Sequence, residues 1–161
     1  MNAQKPRIVL DCMICLQAAA REQSRAAACF RFAENHLVQL FISRAILKEV
    51  EDVLSRDYIR AHFQTLTDES VAMFLERLRY AAEFVRMVPR HFNYERRDVK
   101  DEPYINLAVE VEADYLISRD RDLLDLMSWR QEAGREFQKR FRAMRIVTPE
   151  DFLLAMQQTM L

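Results

Sequence analysis

The stretch Ala113-Asp-Tyr-Leu-Ile-Ser-Arg-Asp-Arg-Asp-Leu-Leu124 changes character halfway along. Its first five residues, apolar but for Asp114, read as a strand, whereas the apolar residues from Leu123 to Met127 look helical. Ser118, Arg119, Asp120 and Asp122 fill the junction. Outward from this block the same change recurs. Arg7-Ile-Val-Leu-Asp11 is an apolar run closed by a carboxylate, and the Ala- and Arg-rich stretch to about Leu37 reads as one or two helices. Val38-Gln-Leu-Phe-Ile42 repeats the strand signature; Ser43 can cap a helix carrying Ile46, Val50, Val53 and Leu54 at helical spacing. Thr67 and Asp68 precede a stripe of Val71, Phe74, Leu75, Leu78 and Ala82, predicting a helix that ends near Val85, with Met87-Val88 as a brief strand before Pro89. His91 to Lys100 predicts a loop, and Asp101 opens a helix with Pro103 in its first turn. Trp129 to Phe141 reads as an amphipathic helical segment and Arg145-Ile-Val147 as a last strand. Thr148-Pro-Glu-Asp151 has the form of a capping-box helix start. Strands alternating with helices imply an α/β fold whose mostly parallel central sheet is flanked by helices, with ligands beyond the carboxyl ends of the strands.

Composition narrows the classes. The 161 residues suit one domain, 1–161, and half of them are hydrophobic, too many for a disordered chain. A single glycine, Gly134, argues against a Gly-rich β-sandwich and excludes phosphate loops of the Walker or dinucleotide type. Basic and acidic residues number 24 and 25, so any polyanion site must be a local patch. Asp11 interrupts the one apolar run near the N-terminus, and no run is long enough to span a bilayer, so no membrane association is expected. Three cysteines, an odd number in a chain able to build its own core, predict reduced thiols and a cytoplasmic location.

Asp11, Asp101, Asp120 and Asp122, with Glu49 one helical stretch beyond Ser43, fall at the expected site edge. Carboxylate oxygens are hard ligands suited to Mg²⁺ or Mn²⁺, and clusters of them hold the ions with which many phosphodiester hydrolases activate water. Without a cation such a cluster would take up protons, because like charges repel. Singly, each acid has a plainer role: Asp101 a helix cap, Glu49 a solvated residue beside Lys48 or Arg44, Asp120 and Asp122 helix-start charges. Asp11 is the hardest to explain that way, since propensity disfavours a carboxylate at the end of an apolar strand.

From Arg7 to about Leu153 the chain resembles the PIN-domain nucleases, especially the branch of toxins from toxin–antitoxin modules. The resemblance runs through Ile8-Val-Leu-Asp11, Ser43-Arg-Ala-Ile-Leu-Lys-Glu49, Arg97-Asp-Val-Lys-Asp101 with Ala108, and the opening block from Ala113 to Leu124. It implies a PIN-like three-layer fold and a metal-dependent ribonuclease in which Asp11, Glu49, Asp101 and Asp120 are catalytic metal ligands, Asp122 a fifth, and Ser43 and Ser118 supporting residues. It also implies an RNA substrate, an antitoxin partner and a homodimer. Two positions depart from the pattern. Cys12 and Met13 stand where the family has a hydroxyl residue and Asn, and Arg119 replaces a glycine, putting a bulky cation beside the expected metal site.

Rival readings come from other residues. A catalytically degenerate module that binds nucleic acid or a partner protein would tolerate both departures. Cys12-Met-Ile-Cys15 at a helix start is the pattern of a thiol redox couple, and Cys12, Cys15, Cys29 and His36 contain the donor types of a zinc site. From Arg130 to Arg145 six basic residues outnumber two acidic ones, making Arg130, Lys139, Arg140 and Arg142 candidates for nucleic acid beside Arg119. Trp129, Phe137 and Phe141 interleave with them as base-stacking rings or as the apolar side of the helix. The loop with Arg90, Arg96, Arg97 and Lys100 is a second basic candidate.

Overall fold

Among the described residues five short strands pair in parallel throughout, in the order β3-β2-β1-β4-β5. The computed structural model describes residues 4–92 and 99–160. β1 (Arg7–Leu10) leads into α1 (Cys12–Ala20) and α2 (Arg25–Glu34); β2 (Gln39–Ser43) leads into α3 (Arg44–Ser55), α4 (Asp57–His62) and α5 (Asp68–Ala81). β3 (Ala82–Val85) is followed, after the undescribed stretch, by a 3₁₀ turn at Val99–Asp101 and by α6 (Glu102–Glu110). β4 (Tyr115–Ile117), α7 (Arg121–Leu124), a 3₁₀ turn at Asp125–Met127, α8 (Glu132–Arg140), β5 (Arg145–Val147) and α9 (Pro149–Thr159) complete the order. This is the predicted α/β fold with a parallel sheet flanked by helices.

The local chemistry explains the element ends. Asp11, Ser24, Ser43, Thr67, Asp120 and Thr148 each accept a backbone N–H in the first turn of the helix that follows. With glycine nearly absent, His36 and Glu112 take positive φ just past α2 and α6, and the next residues, Leu37 and Ala113, donate back to Phe32 and Ala108 at 2.9 and 2.8 Å. Ile8 and Val9 point to opposite faces of central β1 and both are fully buried, so helices cover the sheet on both sides.

The structure corrects one expectation. The helix expected to run to Val85 stops at Ala81, and the third strand is Ala82–Val85 rather than Met87-Val88. Ala82 continues the helical stripe in sequence, yet Leu40–Ser43 offers a parallel edge that Ala82–Val85 pairs residue for residue. Long-range pairing outweighs local periodicity. The short helix α4, with no buried residue, was not legible in the pattern.

β1 is paired by β2 on one side and by β4 on the other, so the chain order reverses between β1 and β4. A crevice opens at such a switch point beyond the carboxyl ends of the strands.

Candidate active site

The last register pair of β1 and β4 is Leu10 with Ile117, so Asp11 and Ser118 emerge side by side at the switch point. Asp11 is buried. Its Oδ1 accepts the Ile14 N–H at 2.9 Å, capping α1, and its Oδ2 accepts the Ser118 hydroxyl in a short hydrogen bond. Fully buried Ser118 also receives the Asp120 N–H on Oγ at 2.9 Å, so one hydroxyl ties the acid after β1 to the acid after β4. Burial, reinforced by the nearby charge of Asp120, pushes the Asp11 carboxyl up to about 6 despite the hydrogen bonds from Ser118 and Ile14.

Asp101, Asp120 and Asp122 each place one carboxylate oxygen within 4.8 Å of the other two. They arrive from two directions. The 3₁₀ turn before α6 delivers Asp101, which is buried, while Asp120 and Asp122 flank the start of α7. Asp120 Oδ1 accepts the Asp122 N–H at 2.8 Å, which fixes those two relative to each other. Asp101 sits at the cap position of α6 with helical φ and ψ and makes no side-chain cap bond, so capping does not explain it. Among the described residues this is the only group of three side chains able to share a metal ion. Three hard oxygen donors fit Mg²⁺ or Mn²⁺ and offer no soft or nitrogen ligand.

Two of the five expected acids stand outside this trio. Asp11 is bound through both oxygens as above. Glu49, on α3, accepts the Tyr104 hydroxyl on Oε2 at 2.7 Å and faces the Cys12 thiol from Oε1 at 3.4 Å. Tyr104 follows Asp101 by one helical turn and Cys12 follows Asp11 directly, so Glu49 braces the backbone segments that carry two other acids. Burial and the neighbouring Glu49 raise the Tyr104 hydroxyl pKa, keeping it a donor. Nothing in the sequence pattern singled out Tyr104, which on α6 reads as an ordinary core aromatic. Ser43 caps α3 through the Ile46 N–H at 3.3 Å.

Arg119 does not point a free cation at the trio. Its guanidinium grips Glu150 of α9 at 2.6 and 2.9 Å and reaches Gln17 of α1 at 3.2 Å, holding Glu150 below its ordinary range. The basic segment divides in the same way. Phe137 is fully buried with its ring 5.3 Å from that of Phe92, so it belongs to the core, whereas Trp129 is 59% exposed. Arg140 lies 5.0 Å over the Phe141 ring, and Lys139 and Arg142 line a groove of about 670 Å³ beside edge strand β5. Arg130 is exposed. In the second basic loop Arg90 pairs with Glu102 at 3.2 Å, and Arg96 and Arg97 lie outside the described residues.

The thiols oppose a redox reading. Burial pushes Cys12 up to about 12 and drives buried Cys15 up as well, the reverse of the lowered pKa that a reactive pair needs. Cys29 is equally inert, pushed to about 12 mainly by burial.

A carboxylate trio at the switch point of a parallel α/β sheet is a group that could hold a hard cation. The PIN domain profile matches residues 7–122, well over half of the chain, and the protein belongs to the PIN-domain family. No curated protein matches it. PIN domains are generally nucleases, so membership makes this a nuclease-type chain with nucleic acid as its substrate class. No described helix is long and apolar enough to cross a membrane.

Proposed function

We propose that this chain folds as one PIN-type domain and is a divalent-metal-dependent ribonuclease that hydrolyses RNA phosphodiester bonds. The observation that carries the reading is the Asp101, Asp120 and Asp122 trio at the β1/β4 switch point. Those three oxygens would hold Mg²⁺ or Mn²⁺. When bound, such an ion activates water and offsets charge on the scissile phosphate. Asp11 and Ser118 keep Asp120 at a fixed height above the sheet, and Glu49 positions α6, and with it Asp101, through Tyr104. Arg119, bound to Glu150, buttresses the turn between Ser118 and Asp120. The basic surface with Arg130, Lys139, Arg140 and Arg142 supplies phosphate contacts. A cytoplasmic toxin role with an antitoxin partner, and a homodimer, belong to the same reading and rest on the family resemblance.

The test is hydrolysis of RNA by purified protein. Cleavage is expected with Mn²⁺ or Mg²⁺ and is expected to stop with EDTA. Asp120→Asn should lower the rate by more than about 100-fold, beyond the 10- to 100-fold typical of outer-shell partners. Undiminished cleavage by that variant would overturn the assignment. A second reading, a binder that does not cut, draws on Asp11 and Glu49 being engaged by protein donors already. Retention of RNA with no cleavage under either ion would select it.

A further inference from the structure

The protein pairs many of its surface arginines with carboxylates: Arg56 with Asp52, Arg60 with Asp68, Arg77 with Glu34 and Arg79 with Glu51. Arg44, Lys48 and Arg86 break that habit. Among the described residues they make no ion pair, although all three are exposed and line one open cleft of about 640 Å³. Lys48 could pair with its neighbour Glu49, but that carboxylate is turned to Tyr104 and Cys12. Collecting like charges without neutralising them costs stability, and a surface that pays it commonly meets a polyanion.

The placement is specific. Arg44 and Lys48 stand one turn apart on α3, directly after β2, and Arg86 follows the end of β3, so the cations sit over the carboxyl ends of two adjacent strands. Glu102 and Pro103 form another wall, and Glu102 is next in the chain to Asp101 of the trio. The cleft and the trio therefore share the start of α6. Across the sheet, the groove with Lys139 and Arg142 flanks β5 at the opposite edge. Lys139 and Arg142 precede β5 and stand toward its amino end, whereas Asp11 follows β1 and Asp120 and Asp122 follow β4 at the carboxyl edge that the cleft shares.

We infer that the cleft of Arg44, Lys48 and Arg86 is a second phosphate-binding surface, and that a nucleic-acid strand runs along the carboxyl edge of the sheet from this cleft to the acid trio. Two features favour a strand over a free phosphate. The cations come from separate parts of the chain, Arg44 and Lys48 on α3 and Arg86 after β3, and they line an open cleft rather than one closed cradle. Val88, Val99 and Pro103 line the same cleft and give it apolar surface suited to sugar or base. The inference rests on the nuclease reading for the identity of the polymer.

The experiment uses Asp120→Asn protein in EDTA, so that nothing is cut, and follows the anisotropy of a fluorescein-labelled oligouridylate across a salt series. Each lost phosphate contact lowers the slope of log K against log salt by about 0.7, so Arg44→Ala/Lys48→Ala/Arg86→Ala together should lower it by roughly 2. Inorganic phosphate should compete only weakly if a strand is the ligand. Lys48→Glu alone should weaken binding further than Lys48→Ala. All three side chains are exposed, so the fold is expected to survive, as a melting curve of each variant will show. An unchanged slope in the triple variant, or no measurable binding by the parent, overturns the strand path. An unchanged slope alongside Mn²⁺-dependent cleavage by wild type defeats the path and leaves the nuclease reading standing. A lowered slope without cleavage under either ion does the reverse.

Discussion

Ser118 is the residue on which the site turns. A small hydroxyl at zero exposure donates to Asp11 and accepts from the Asp120 backbone, so it converts the β1–β4 register into a spacing between two acids. The position looked like a supporting one in sequence; its double hydrogen bond did not. Asp11 yields a prediction at this scale. Its folded pKa of about 6 lies above the ordinary value of 3.8, so the folded protein holds the proton more tightly than the unfolded chain does. The stability this contributes is fully present below about pH 4 and is lost as pH rises through 6. A shift of that size corresponds to about 3 kcal/mol. Asp11→Asn cannot ionise, so in EDTA its stability relative to wild type should rise between pH 4 and pH 7. Thermal melts across that range would show a flat pH response of the difference if Asp11 were in fact solvated.

At the scale of elements, Gly134 illustrates how one residue admits a whole helix. In sequence it was only the chain's sole glycine. In the structure a Cβ there would run into the Ser128 carbonyl oxygen and lie 3.0 Å from that of Asp125, because α8 packs its first turn directly onto the preceding 3₁₀ turn. That backbone has no flexible side chain to move aside. Gly134→Ala should therefore destabilise by about 1–3 kcal/mol, the usual cost of overpacking, measured by urea unfolding. A loss below a few tenths would mean the contact relaxes freely. The disagreement over residues 82–88 belongs here too. The four residues Ala82-Glu-Phe-Val85 at the end of a long helix carry no local mark of their state, and only the edge of β2 selects a strand.

For the whole molecule the consequence of the trio is linkage. An ion that binds the folded but not the unfolded chain stabilises by RT ln(1 + [L]/Kd), about 2.7 kcal/mol at a hundredfold excess over Kd. Adding Mn²⁺ to metal-free protein should raise the melting temperature, and Asp101→Asn or Asp122→Asn should blunt the response because each removes one of the converging oxygens. Equal shifts in all three proteins would place the ion elsewhere. The family match ends at Asp122, so α8, β5 and α9 lie outside it. Those elements nonetheless complete the sheet edge and supply Glu150, which restrains Arg119.

The sequence by itself determined the alternation of strands and helices, the helix caps at Ser43 and Thr148, and the arrival of Asp11, Asp101, Asp120 and Asp122 at one edge of the sheet. These follow from period, propensity and the rule that parallel strands all present their carboxyl ends to the same side. Which acids actually meet was decided only in three dimensions. Glu49 was drawn to Tyr104 and Cys12, Arg119 to Glu150, and Arg44, Lys48 and Arg86 were gathered into one cleft from two elements. Spacing along a chain encodes backbone conformation and the face a residue occupies. The partner a charged side chain finds depends on competition among groups brought close by long-range packing, and no local pattern records that competition.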